Sequence, residues 1–163
     1  MGANQPVLTA ALPVSKSMIS STAKYALRAA VFLGENKNGF VSRTVIADAT
    51  MVPHEYLLKV LNELDLAGIV ESRRGPGGGY RLTRSPEEIT SLEVVLSVDE
   101  IQRISECPLG ISAHEDLCPL HKLLDNASRL VEESFRSVTI SDLISPKKKN
   151  TKSCRFPNVL EQE

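Results

Sequence analysis

The run Arg73-Arg74-Gly75-Pro76-Gly77-Gly78-Gly79-Tyr80-Arg81-Leu82 constrains this chain more than any other segment. Four glycines and a proline in five consecutive positions exclude a helix or strand interior, because glycine costs backbone entropy and proline removes a donor. On either side, residues 69–73 and 80–83 alternate apolar and polar side chains with the period of a strand. The predicted unit is a β-hairpin whose slim tip is flanked by three arginines, Arg73, Arg74 and Arg81. So little side-chain bulk lets the backbone and its guanidinium groups enter a narrow anionic groove. A phosphate-binding loop competes, but it needs Lys-Ser/Thr after its last glycine, or G-x-G-x-x-G opening a helix. Here Gly79 leads into a strand-like run. An ordinary flexible hairpin is the plain alternative. The sharper reading is a two-stranded wing suited to duplex DNA.

Three helices are expected ahead of the wing. In residues 19–33, Tyr25, Ala26, Ala29, Ala30 and Leu33 form the stripe of an amphipathic helix. Ser42 can cap a short second helix over residues 43–49, with Val45 and Ile46 inward. Thr50-Met51-Val52 makes a tight link, and Pro53 takes a favoured first position in a third helix over residues 53–67. Tyr56, Leu57, Val60, Leu61 and Leu64 are its inward stripe, and Gly68 closes it. Two helices joined by about three residues and followed by a hairpin are the parts of a winged helix-turn-helix. The third helix is the reader. Its first turn enters the major groove, which makes His54, Glu55 and Lys59 candidates for contact. Tyr56 can pack with its ring and reach a phosphate with its hydroxyl. Arg43 can hold a phosphate or simply face solvent.

Charge separates the chain into unlike halves. Residues 18–84 carry nine Lys/Arg against six Asp/Glu, a net of +3, whereas residues 85–144 carry four against twelve, a net of −8. A basic half fit for phosphates is thus joined to an acidic half that is not. The expected organisation is a disordered leader over residues 1–17, a winged-helix domain over 18–84, a sensing loop with dimerisation helices over 85–145, and a disordered basic tail over 146–163. No apolar run approaches the roughly 20 residues that span a bilayer. Lys16 follows the run of residues 8–12 and does not precede it, unlike a signal peptide. Three cysteines make no secreted disulfide framework, so a cytoplasmic protein without membrane contact is expected.

The segments Tyr56-Leu57-Leu58-Lys59-Val60-Leu61, Leu66-Ala67-Gly68-Ile69-Val70 and Arg74-Gly75-Pro76-Gly77-Gly78-Gly79-Tyr80 resemble the Rrf-type winged-helix transcriptional regulators, relatives of IscR, NsrR and CymR. The resemblance continues through Tyr25-Ala26-Leu27-Arg28, Cys118-Pro119-Leu120-His121 and Thr139-Ile140-Ser141-Asp142-Leu143, and so spans most of the chain. It implies a mainly α fold: a winged helix-turn-helix with a two-stranded wing, plus a long C-terminal dimerisation helix. It also implies a homodimer on a palindromic operator in double-stranded DNA, acting as a repressor or an activator; a repressor is expected here. Arg74 then enters the minor groove while Pro53, Glu55, Tyr56 and Lys59 touch the major groove. Arg43, His54, Arg73, Gly77, Gly78 and Tyr80 complete the expected DNA surface. Relatives close to IscR often carry a base-selecting glutamate where this chain has Leu58, so a different operator is expected.

In the acidic half, residues 89–98 read as a helix with Leu92, Val95 and Leu96 inward, and residues 107–117 read as a loop. Pro119 opens a long helix to about residue 138, striped by Leu120, Leu123, Leu124, Ala127, Leu130, Val131 and Phe135. Nothing else in the chain is left to cover that stripe, and a second copy is its natural partner. Packing on the first helix is the plainer option.

Cys107, Cys118 and His121 raise the question of sensing. Cluster-binding relatives place three cysteines in such a window; here Ile111, Ser112, Ala113 and His114 stand in the middle region. Lys24 and Arg28 stand in the first helix where some relatives place a ligand. Three readings stand open. One is an iron–sulfur cluster with non-cysteine ligands. Another is a thiol switch between Cys107 and Cys118. The third is structural cysteines in a chain that senses something else. A zinc site from Cys107, His114, Cys118 and His121 has suitable ligand types but no standard spacing. Cys154, in the tail, is expected to do nothing specific. No nucleophile–base pair, metalloprotease helix or P-loop points to an enzyme. The alternative function is a winged helix used for protein contacts, or a small-molecule sensor without a cluster.

Overall fold

The computed structural model describes residues 19–36, 39–103 and 118–145. Three helices come first: α1 (Ser21–Glu35), α2 (Arg43–Thr50) and α3 (His54–Leu66). The strands β1 (Val70–Arg73) and β2 (Gly79–Leu82) follow, then α4 (Ser91–Leu96), α5 (Pro119–Arg136) and α6 (Ile140–Ile144). The expected leader, tail, Cys107, His114 and Cys154 all lie outside the described residues.

Helix α1 is the wall on which the rest is built. Ser20 caps it by accepting from the Ala23 N–H at 3.1 Å, and Ala26, Ala29 and Ala30 are fully buried. Small side chains there let neighbouring helices approach closely, and α2, α3, α4, α6 and β2 all pack on α1. The approach is tightest at Gly34, where a Cβ would stand 2.8 Å from Ile144 Cδ1. Leu57, Val60, Leu61 and Leu64 of α3 close the core from one side, while Ile89, Val94 and Ile140 join the same core from the acidic half.

The strands pair antiparallel, with Val70 opposite Leu82, Glu71 opposite Arg81, Ser72 opposite Tyr80 and Arg73 opposite Gly79. A third segment lies along β2. The Val41 N–H donates to the Tyr80 carbonyl at 2.9 Å and the Tyr80 N–H donates to the Val41 carbonyl at 2.8 Å. Gly79 sits at that junction with φ +148°, and a Cβ on it would stand 2.1 Å from the Val41 oxygen.

Several local expectations need correction. Pro53 occupies the cap position with extended ψ, one residue before α3 begins. Tyr56 belongs to the outer face of α3, 55% exposed. The α4 helix is shorter than residues 89–98, and its inward residues are Leu92, Val94 and Val95, with Leu96 turned outward. Helix α6 was not anticipated. It starts at a capping box in which Thr139 accepts from the Asp142 N–H while the Asp142 carboxylate accepts from the Thr139 N–H. Thr90 and Glu93 build the same device at α4. An isolated bridge between Thr90 and Thr139 fastens the two helix starts together.

Candidate nucleic-acid interface

The turn between α2 and α3 is set by Met51, which adopts φ +53°, and by Val52, which is buried beneath it. From there α3 begins without any side-chain cap. Its first-turn N–H groups therefore have no side-chain acceptor of the usual kind, and a helix start of that sort favours an anionic partner. With Leu57, Val60, Leu61 and Leu64 facing the core, Pro53, His54, Glu55, Tyr56 and Lys59 are exposed. His54 Nε2 lies 3.3 Å from Asp48 Oδ1 on α2. Tyr56 is braced by Tyr25 of α1, with ring centroids 6.3 Å apart. Arg43, at the first position of α2, is exposed.

At the wing, Arg73, Arg74 and Gly77 are exposed and Gly78 is half-buried. The tip folds back through a bond from the Gly78 N–H to the Gly75 carbonyl at 2.9 Å. Gly75 and Gly77 both have positive φ, while a Cβ on Gly78 would stand 2.2 Å from the Arg73 oxygen. Only glycine satisfies that tip. Tyr80 is half-buried and packs on the core, so it anchors the wing more than it extends it. The base of the wing is tied to α3: Ser72 Oγ donates to Asp65 Oδ2 at 2.9 Å and Thr83 Oγ1 donates to the Gly68 carbonyl at 2.6 Å.

One residue absent from the sequence-based expectations is central here. Phe40 lies against two wing arginines, with Arg81 Cζ 4.6 Å and Arg73 Cζ 5.8 Å from its ring centroid. Arg81 also donates to Glu71 across the hairpin at 2.5 Å. The only sequence signal for Phe40 was its place just ahead of Val41, and nothing marked Val41 as a strand partner.

In the acidic half, Cys118 occupies the position before α5 without a side-chain cap bond, and its Sγ lies 3.1 Å from His121 Nδ1. His121 is buried, 3% exposed. Among the described residues no group of three or more His, Cys, Asp or Glu is placed to hold a metal ion. One thiol and one imidazole bonded to each other do not make the four-ligand set that an iron–sulfur cluster requires. Cys107, which the sequence groups with this pair, lies outside the described residues. Just before residue 104, Arg103 grips Asp125 of α5 through two bonds at 2.7 and 2.9 Å. The guanidinium holds the Asp125 carboxyl below its ordinary range. A cleft of about 500 Å³ opens nearby, lined by Ile19, Val95, Asp99, Ile101, Ala127 and Val131. Bonds from Ser20 and from the Glu100 N–H hold the Asp99 carboxyl below its usual value.

The apolar stripe of α5 is left largely open. Leu123 is 65% exposed and Leu130 57%, with Leu120 and Leu124 also exposed. No helix among the described residues is long and apolar enough to cross a membrane.

Comparison with known proteins agrees with this architecture. Residues 19–146 match the Rrf2 family model, described as an iron-dependent transcriptional regulator. The HTH-type transcriptional regulator NsrR of Bacillus licheniformis is 33% identical over 124 residues, covering 74% of this chain and 87% of the relative. CymR of B. subtilis, the global cysteine regulator of that organism, superposes with a TM-score of 0.66 at 28% identity, covering 80% of this chain and 98% of CymR. IscR of T. potens has the same fold, with a TM-score of 0.68 at 24% identity over 82% of this chain and 90% of its own. These relatives are transcriptional regulators, not enzymes. A wing built on glycines, a helix-turn-helix with the outer face of α3 exposed and a family match over most of the chain lead to one conclusion: the protein belongs to the Rrf2 family of DNA-binding transcriptional regulators.

Proposed function

We propose that this regulator acts as a homodimeric repressor. It grips a palindromic operator through α3 in the major groove and the wing in the minor groove, and lets go after a chemical event at Cys118. The observation that carries the reading is the pairing of an uncapped α3 start, exposing Pro53, His54, Glu55, Tyr56 and Lys59, with a glycine tip exposing Arg73 and Arg74. Lys59 and Arg43 supply charge for phosphates, and Arg74 supplies a cation that a narrow minor groove attracts.

Dimerisation through α5 is supported by its open leucine stripe. Pairing would set two readers about 34 Å apart, one turn of duplex. Sensing is supported by the contact between the Cys118 thiol and the buried His121 ring, since oxidising the thiol forces added oxygen against that ring at the foot of α5. A shift of the long helices then misaligns the readers. Phosphate contacts supply much of the affinity, so losing half of them releases the operator.

The test is binding to a duplex that the wild-type protein enriches from a randomised pool. Affinity should fall steeply as salt rises, and Arg74→Ala should weaken binding about tenfold, as loss of a groove-inserted arginine does. Failure of the wild-type dimer to retain any duplex would refute the reading.

A further inference from the structure

Strand geometry explains why Phe40 meets the wing arginines. Val41 pairs with Tyr80, and both pack on the core. Successive strand residues point to opposite faces, so Phe40 must face away from the core. Glu71, Arg73 and Arg81 share that outer face, because Glu71 and Arg73 are two residues apart and Arg81 is directly opposite Glu71. The half-buried Phe40 ring thus lies beneath two guanidinium groups at 4.6 and 5.8 Å.

The two arginines are not equivalent. Arg81 is neutralised by Glu71 at 2.5 Å, whereas Arg73 has no carboxylate partner among the described residues. A guanidinium lying over an aromatic face uses its π surface there. Its N–H donors, all in the plane of the group, stay free for the oxygens of a phosphate.

We propose that Phe40 is a positioning residue that holds Arg73 ready to bind a backbone phosphate of duplex DNA, while the Glu71–Arg81 pair locks the same ring in place. The proposal rests on the DNA-binding reading above and assigns a division of labour within the wing: Arg81 builds, Arg73 binds.

The experiment measures affinity and its salt slope on the duplex enriched by the wild-type protein. Phe40→Leu, which keeps an apolar side chain but removes the ring, should weaken binding about 5- to 10-fold, from the loss of stacking support. The salt slope should fall by about one contact, and Phe40→Tyr should restore both. In an Arg73→Ala background, Phe40→Leu should change affinity less than about twofold, because the two act as one unit. Arg73→Lys tests the same point with Phe40 intact, since it keeps the charge but loses the planar group; several-fold weakening is expected. Wild-type affinity in Phe40→Leu or Arg73→Lys, or additive losses in the double variant, would overturn the proposal alone. A wild-type protein that binds no duplex would remove the DNA reading beneath it as well.

Discussion

Replacing Gly79 by alanine should be the most damaging single-methyl change in the wing. The residue has φ +148°, and the new Cβ would be placed 2.1 Å from the Val41 oxygen and 2.9 Å from the Ser42 nitrogen. Both neighbours are backbone and cannot rotate away. Relief requires Val41 to separate from β2, which breaks the two bonds between Val41 and Tyr80 at 2.9 and 2.8 Å. Each is worth about 1 kcal/mol net. Holding a non-glycine residue at this φ adds about 1–3 kcal/mol of strain. The expected loss is therefore about 3 kcal/mol or more in urea unfolding, measured at one protein concentration so that association does not confound the midpoint. Gly77→Ala is the control. It has positive φ, but a Cβ there meets nothing within 4 Å, so only the left-handed penalty of about 1–2 kcal/mol applies. If Gly79→Ala unfolds no more easily than Gly77→Ala, the reasoning from the Val41 contact is wrong.

Two further outcomes concern the acidic half. Leu123→Glu with Leu130→Glu places charge on the most exposed leucines of the α5 stripe and should turn a dimer into a monomer in sedimentation velocity, with little change in the far-ultraviolet dichroism; an unchanged dimer would move the interface elsewhere. Cys118→Ala should keep the fold and the duplex affinity but abolish release of DNA under thiol oxidants. Release at the wild-type oxidant concentration would retire Cys118 as the sensor.

Much of this architecture was legible in the sequence because local chemistry enforced it. The tip at residues 75–79 admits no regular structure. The spacing of Leu57, Val60, Leu61 and Leu64 fits one helix face, and Ser42 and Pro119 mark helix starts. What escaped depended on contacts distant in the chain. Val41 pairs with Tyr80 across 39 positions, a single bridge without periodicity of its own, so Phe40 had no visible role. Helix α6 has five residues, too few for a stripe, although Thr139 and Asp142 carried the capping spacing. Leu96 was assigned inward from hydrophobicity alone, yet Val94 took the core position. Flanking one glycine tip, the arginines form a single group in the sequence, and only the pairing of Glu71 with Arg81 separates them.

The halves distinguished by charge have no seam in the packing. Ile89, Val94 and Ile140 rest on the same wall as Leu57 and Leu61, and a Cβ on Gly34 would stand 2.8 Å from Ile144 Cδ1, so a methyl there would force the Ile144 side chain to shift. A fragment ending at Arg84 would leave that wall bare along one flank, exposing the apolar side chains that Ile89, Val94 and Ile140 now cover. By the same logic, α4 and α6 share the α1 wall with α3, so a disturbance of either helix bears on the surface that supports α3.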